Sequence, residues 1–281
     1  MRRAPEVAAI HDLSGFGRCS ASIVLPVLSA MGSRCETMLT AYLSAHTGFP
    51  HSDRAVFLDL TEQMEDCMAH WTELGASFDA IYSGFLGSAR QIGVIRDFIA
   101  RFRRPGTLVL VDPVMGDHGT PYSSYTPELC ARMEALAEEA DVITPNLTEA
   151  AILLRRPYSS VPRDEAGMRE WLALLSMDGR RSVVITGVSL APGQVGAGCF
   201  DRDTGRVSIS QTHEEPCRFP GTGDLFASVL LGALLRGQPL PDSMELAVSF
   251  VRRSAAATLE LGTPPLMGVQ FEPLLGELAC R

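Results

Sequence analysis

The regular exchange of short apolar runs with longer amphipathic ones constrains this chain more than any other feature. Val7 to Ile10, Ala80 to Tyr82, Leu108 to Val111, Val142 to Thr144 and Ser182 to Thr186 are rich in Val, Ile, Leu and Ala and read as strands buried on both faces. Helical patterns lie between them. Leu60, Met64, Met68, Trp71 and Leu74 recur at spacings of three and four, with Glu62, Glu65 and Glu73 off that stripe. Ser88 to Phe102 places Ile92, Ile95, Ile99 and Phe102 on one face, and Glu36 falls at the start of a further strand. Such alternation predicts right-handed crossovers and an α/β fold, with a doubly wound, mainly parallel sheet flanked by helices. Val195 to Asp201 and Arg206 to Ser210 then read as a late antiparallel hairpin turning at Asp203 to Gly205. Two apolar helices, Thr222 to Arg236 and Asp242 to Leu261, follow. With no repeat or linker, residues 1–281 read as one domain.

Composition narrows the chemistry such a fold can carry. At 46% apolar and 20% charged residues the chain reads as soluble and globular, and its net charge of -9 argues against nucleic-acid binding, which favours basic surfaces. All 24 basic residues are arginine. Without lysine there is neither a P-loop lysine for nucleotide phosphates nor a Schiff-base lysine for pyridoxal phosphate as coenzyme. The seven cysteines, Cys19, Cys35, Cys67, Cys130, Cys199, Cys217 and Cys280, are scattered singly, which speaks against a zinc site or a disulfide framework and fits reduced thiols in cytoplasm. Met1 to Pro5 runs into the first strand without the apolar stretch of a signal peptide, and no run is long enough to span a bilayer, so neither export nor a membrane partner is expected.

In a doubly wound sheet, ligands collect beyond the carboxyl ends of the strands. Phe219-Pro220-Gly221-Thr222-Gly223-Asp224 opens a long apolar helix, and its free N–H groups and dipole form an anion site that glycines let a phosphate approach closely. A carboxylate there, Asp224, suits phosphoryl transfer, in which a base accepts a hydroxyl proton beside the transferring group. A glycine turn with an acidic cap is the plainer alternative. Val111 to Asp117 ends a strand with Asp112 and supplies Asp117 five residues on, an arrangement that suits magnesium holding phosphate ligands through water, although Asp-Pro is also a common turn. Asn146 with Glu149 resembles a capping box, and that reading alone accounts for the spacing.

The stretch His11 to Ser20 invites a dinucleotide reading, because Gly15, Gly17 and Ser20 approximate GxGxxG. Three details oppose it: His11 to Ser14 separates the first glycine from the strand, serine replaces the third glycine, and Glu36 begins the second strand instead of ending it.

Taken together, HDLSGFGRCS from His11, AHTG from Ala45, YSGFLGS from Tyr82, DPVMGD from Asp112, TPNLTEA from Thr144 and FPGTGD from Phe219 resemble, in order and separation, the pyridoxal kinase group of the ribokinase superfamily. The resemblance covers nearly the whole chain. GTGD before a late helix marks the superfamily, and DPVMGD with TPNLTEA narrows it to kinases of vitamin B6 and of the thiamine pyrimidine. It implies that Asp224 deprotonates the 5′-hydroxymethyl group of pyridoxal, pyridoxine or pyridoxamine, while Gly221, Thr222 and Gly223 donate N–H groups to the transferring phosphoryl. It implies further that Asp112, Asn146 and Glu149 hold Mg-ATP, with Asp112 and Glu149 on Mg2+ largely through water, and that Thr186 approaches the nucleotide phosphates. Asp12 and Thr47 would meet the polar groups of the pyridine ring and Phe85 its face. Gly116 to Tyr125 would form a flap over ATP, and Cys217, Arg218, Phe219 and Pro220 would border adenine or ribose. The implied cofactor is Mg2+ with ATP as co-substrate, a monovalent cation such as K+ is a further candidate, and the expected assembly is a homodimer.

The chain departs from the family in places. Many pyridoxal kinases carry serine where Asp12 stands, and a carboxylate there favours a protonated ring nitrogen. Thiamine pyrimidine kinases usually end the anion motif in cysteine, so Asp224 points towards vitamin B6. A lysine that some relatives use near the nucleotide is absent, with Arg218 a candidate replacement. Three functions follow for comparison: a vitamin B6 kinase, a hydroxymethylpyrimidine kinase, and a non-catalytic vitamin B6-binding protein, which would need none of Asp224, Asp112 or Glu149.

Overall fold

The computed structural model describes residues 3–50, 52–122 and 125–279. The elements in chain order are β1 (Glu6–Ser14), α1 (Ala21–Ala30), β2 (Arg34–Leu43), β3 (Phe57–Asp59), α2 (Thr61–Glu73), β4 (Ala80–Ser83), α3 (Ala89–Phe102) and β5 (Leu108–Val111). There follow β6 (Gly116–Asp117), β7 (Thr120–Pro121), α4 (Pro127–Glu138), β8 (Val142–Ile143), α5 (Leu147–Leu153) and α6 (Glu165–Leu175). The chain continues through β9 (Ser182–Val188), β10 (Gln194–Asp201), β11 (Arg206–His213), α7 (Thr222–Leu235), α8 (Leu240–Glu260) and α9 (Leu275–Ala279).

Nine strands form one sheet in the order β11-β10-β9-β8-β5-β4-β1-β2-β3. Every pair from β2 through β1, β4, β5 and β8 to β9 is parallel, and the antiparallel strands β3, β10 and β11 lie towards the two edges. Successive side chains of a strand face opposite ways, so each central strand feeds two cores. Val7 and Ala9 join Leu225, Leu230 and Phe250 of α7 and α8, whereas Ala8 and Ile10 join Ile95, Phe98 and Leu172 of α3 and α6. Both cores are buried, and this is why the strand sequences are continuously apolar instead of alternating.

Several boundaries differ from the sequence reading. β1 does not stop at Ile10 but runs to Ser14, because pairing with β2 resumes beyond a register slip, with Leu13 opposite Tyr42 and Ser14 opposite Leu43. Gly15 therefore follows the strand at once, and that objection to a dinucleotide turn falls; Ser20 in place of the third glycine and Glu36 near the start of β2 still stand against it. α2 ends at Glu73, which leaves Leu74 as a C-cap, 68% exposed, instead of a member of the buried stripe. The hairpin is longer than expected, reaching His213, while β3 and the β6–β7 pair were too short to carry a periodic signal. Cys280 and part of the Gly116 to Tyr125 flap, residues 123 and 124, lie outside the described residues. The other six cysteines are free thiols. Among the described residues no helix is long and apolar enough to cross a membrane.

Candidate active site

The site is built around the first turn of α7. Gly221 has φ +81°, and a Cβ there would come within 2.6 Å of the Arg18 carbonyl oxygen and strike Ile23, so both the conformation and the packing demand glycine. The first helical bond runs from Leu225 N–H to Gly221 O, and no side chain caps the turn, so the amides of Thr222, Gly223 and Asp224 have no partner within the helix. Gly223 differs from Gly221: a Cβ built on it meets nothing within 4 Å. Its substitution would fill open space over the anion site without disturbing the core.

Asp224 is buried, and its Oδ2 accepts the Ser20 N–H at 2.8 Å and the Cys19 thiol at 3.5 Å. The loop between β1 and α1, distant in sequence but adjacent in space, thus grips this carboxylate. Burial pushes Asp224 up to about 6, with the Asp12 charge adding to the rise and the bonds from Ser20 and Cys19 opposing it. A carboxylate titrating there is ionised at neutral pH yet a stronger base than an exposed aspartate.

Asp112, directly after β5, is pushed up to about 8 by burial and then by the charge of Asp224. Of this pair Asp224 ionises first, and its charge holds the proton on Asp112. Glu149 is fully buried and raised well above the usual carboxylate range by burial and by Asp112. Its oxygens are occupied: Oε2 accepts Asn146 N–H at 2.8 Å and Oε1 accepts Met115 N–H at 3.1 Å. The capping box expected of Asn146 and Glu149 is present, and Asn146 also donates from Nδ2 to Gly116 O at 2.8 Å, which ties the cap to the β6–β7 pair. Among the described residues no cluster of three metal-ligating side chains occurs. Two buried carboxylates, Asp112 raised by burial and by Asp224, and Glu149 raised by burial and by Asp112 and already accepting two N–H groups, fit a hydrated divalent cation better than a directly caged one.

At the other end, Asp12 lies within β1, raised by burial, and its Oδ2 accepts the Ser14 hydroxyl at 3.0 Å. His46 fixes the loop carrying Thr47: Nδ1 accepts Gly48 N–H at 3.1 Å, so Nε2 is assigned as the donor to Leu266 O at 2.7 Å. Phe85 is buried beyond β4 and meets Tyr125 edge-on at 6.1 Å.

One cavity of about 1000 Å³ joins these pieces. Every catalytic, substrate-binding and nucleotide-binding residue that the resemblance implies lines it: Asp12, Thr47, Phe85, Asp112, Asn146, Glu149, Thr186, Cys217, Arg218, Phe219, Pro220, Gly221, Thr222, Gly223 and Asp224. His118 and Tyr122 of the expected flap line it as well, and so do Cys19, Ser20, His46, Arg163 and Arg252, to which the sequence assigns no part in catalysis or binding. The wall carries seven carboxylates, those of Asp12, Asp112, Asp117, Glu149, Glu214, Glu215 and Asp224, against three guanidiniums. Arg218 does not stand free in the nucleotide region: it pairs with Glu214 at 3.2 Å, and its Nη1 lies within 2.7 Å of the His118 ring nitrogens.

The family model for phosphomethylpyrimidine kinase matches residues 26–267. A pyridoxine/pyridoxal/pyridoxamine kinase of Bordetella avium is 31% identical over 90% of this chain and 85% of its own length. Among solved structures, a Bacteroides thetaiotaomicron protein provisionally assigned as a phosphomethylpyrimidine kinase and crystallised with pyridoxal superposes with a TM-score of 0.93 at 40% identity, covering 98% of this chain and 96% of that one. Pyridoxal kinase from Lactobacillus plantarum gives 0.89 at 31% identity, over 98% and 97%. The fold and these relatives define a kinase of the ribokinase-like α/β class. Within that class the chain belongs to the phosphomethylpyrimidine kinase family, in its pyridoxal kinase group.

Proposed function

We propose that this protein transfers the terminal phosphoryl of ATP to the 5′-hydroxymethyl group of vitamin B6 vitamers. One observation carries the reading: a buried carboxylate poised near neutrality, Asp224, sits in the same helix turn as three amides with no partner within the helix, so a base and an anion hole share one point of the cavity. The pyridoxal held by the Bacteroides thetaiotaomicron relative supports the choice of acceptor.

The acceptor hydroxyl is placed between Asp224 and the γ-phosphorus. Its oxygen attacks phosphorus, the bond to the β–γ bridging oxygen breaks, ADP departs, and the hydroxyl proton passes to the Asp224 carboxylate. The amides of Gly221, Thr222 and Gly223, joined by that of Asp224, face the charge that spreads over the equatorial oxygens. Asp112 and Glu149 would hold Mg2+, largely through water, and the ion would supply neutralisation of phosphate charge there. Asn146 and Thr186 border the phosphates, Cys217 to Pro220 border adenine or ribose, and Asp12, Thr47 and Phe85 take the ring. Asp12, raised by burial, pairs best with a protonated ring nitrogen.

A steady-state comparison of pyridoxal, pyridoxamine, pyridoxine and hydroxymethylpyrimidine with Mg-ATP tests this. The vitamers should have the higher kcat/KM. Preference for hydroxymethylpyrimidine would reassign the substrate, and binding of pyridoxal without turnover would mark a vitamin-binding protein.

A further inference from the structure

We infer that Arg163 is the residue that engages the polyphosphate of the nucleotide, an inference that rests on the kinase reading above. The argument begins with charge. Even with Asp112 and Glu149 set aside as groups that hold their protons, five acidic residues line the cavity beside three guanidiniums, and a polyanion gains most there from a cation that remains uncommitted. Two of the three are committed. Arg218 is held by Glu214 and His118, and Arg252 lies 3.8 Å from Glu215. The side chain of Arg163, exposed and facing the cavity, has no hydrogen-bond or ion-pair partner among the described residues.

Its backbone, by contrast, is anchored on both sides. Val161 and Pro162 are buried, and Asp164 caps α6 by accepting Gly167 N–H at 2.8 Å. The guanidinium is therefore presented towards the cavity from a fixed backbone position. Tyr158, five residues earlier, also lines the cavity and packs against the β6–β7 turn so closely that a Cβ on Gly119 would come within 2.6 Å of its ring, and Asn146 is tied to the same pair of strands through Gly116. The planar fork of arginine matches two phosphate oxygens at once. Arg163 thus takes the part that Arg218, already paired, does not.

ADP affinity measured by calorimetry, beside KM for Mg-ATP and for pyridoxal, separates the possibilities in R163Q, R163K and R218Q. R163Q should weaken ADP binding and raise KM for ATP about tenfold or more, since a hydrogen bond to a charged group contributes about 1.5–3 kcal/mol. KM for pyridoxal and the melting temperature should stay unchanged, R163K should recover most of the loss, and R218Q should lose less than R163Q. ADP affinity in R163Q within twofold of wild type would overturn the assignment, as would a larger loss in R218Q, or a defect in pyridoxal KM in place of ATP KM. Should the wild type bind ADP yet phosphorylate no vitamer, the kinase reading fails while the calorimetry still decides the part of Arg163.

Discussion

Replacing Asp224 with asparagine should cost turnover and add stability, two effects that come from one buried charge. The wild-type carboxyl is raised from 3.8 to about 6 chiefly by burial. Because the folded state holds its proton more tightly than the unfolded chain, stability attributable to this group is full below about pH 4 and declines as pH rises towards 6. Above that, roughly two pKa units correspond to about 3 kcal/mol of ionisation cost in the folded protein, an upper bound for a single buried site. Asparagine never ionises, keeps an oxygen to accept Ser20 N–H, and relieves Asp112 of the neighbouring charge that helps raise it. The variant should therefore be more stable than wild type at pH 8 by up to about 3 kcal/mol, with the advantage vanishing near pH 4. Loss of the proton acceptor should lower single-turnover phosphorylation by ~10² to 10⁴-fold while ADP affinity changes little. Chemical denaturation across pH 4 to 8 reads the first effect and rapid-quench kinetics the second. A folded variant that turns over like wild type removes Asp224 from the mechanism, and a stability difference independent of pH refutes the account of its burial.

The two glycines flanking Thr222 should part company: Gly221→Ala should lower the melting temperature through its positive φ and collision with the Arg18 carbonyl, whereas Gly223→Val should leave stability nearly intact and reduce kcat by an order of magnitude or more, with thermal melts and kinetics read side by side. In wild type, kcat should fall about tenfold per unit below pH 6 as Asp224 takes up its proton; a flat profile down to pH 5 would contradict a base titrating there. Glu149→Gln should raise the magnesium concentration needed for half-maximal rate, since an amide cannot become the carboxylate that a cation would draw out of this buried acid. If only stability drops, by about 1–3 kcal/mol for the lost bond to Asn146 or Met115, Glu149 is a cap alone.

What the sequence determined by itself was whatever depends on neighbours in the chain. Burial on both faces writes continuous apolar strands, amphipathic helices write a period near 3.6, and these decided the parallel sheet, the late hairpin and the capping box at Asn146. Motif order located GTGD and DPVMGD for the same reason, because a glycine turn and a strand end are local objects. β3 and the β6–β7 pair escaped because two or three residues carry no period, and Ser14 was assigned to a loop because its strand pairing depends on Leu43 of β2. Only the tertiary structure decided the electrostatics. Cys19 and Ser20 are some two hundred residues from the carboxylate they bind, and the proton affinities of Asp224, Asp112 and Glu149 come from desolvation and from each other. The arginines divide the same way: Glu214 lies only four residues from Arg218, a pairing the sequence could offer, but the fold alone brings His118 from a hundred residues away against that side chain and leaves Arg163 facing the cavity, because such contacts depend on distances that only the packed chain sets.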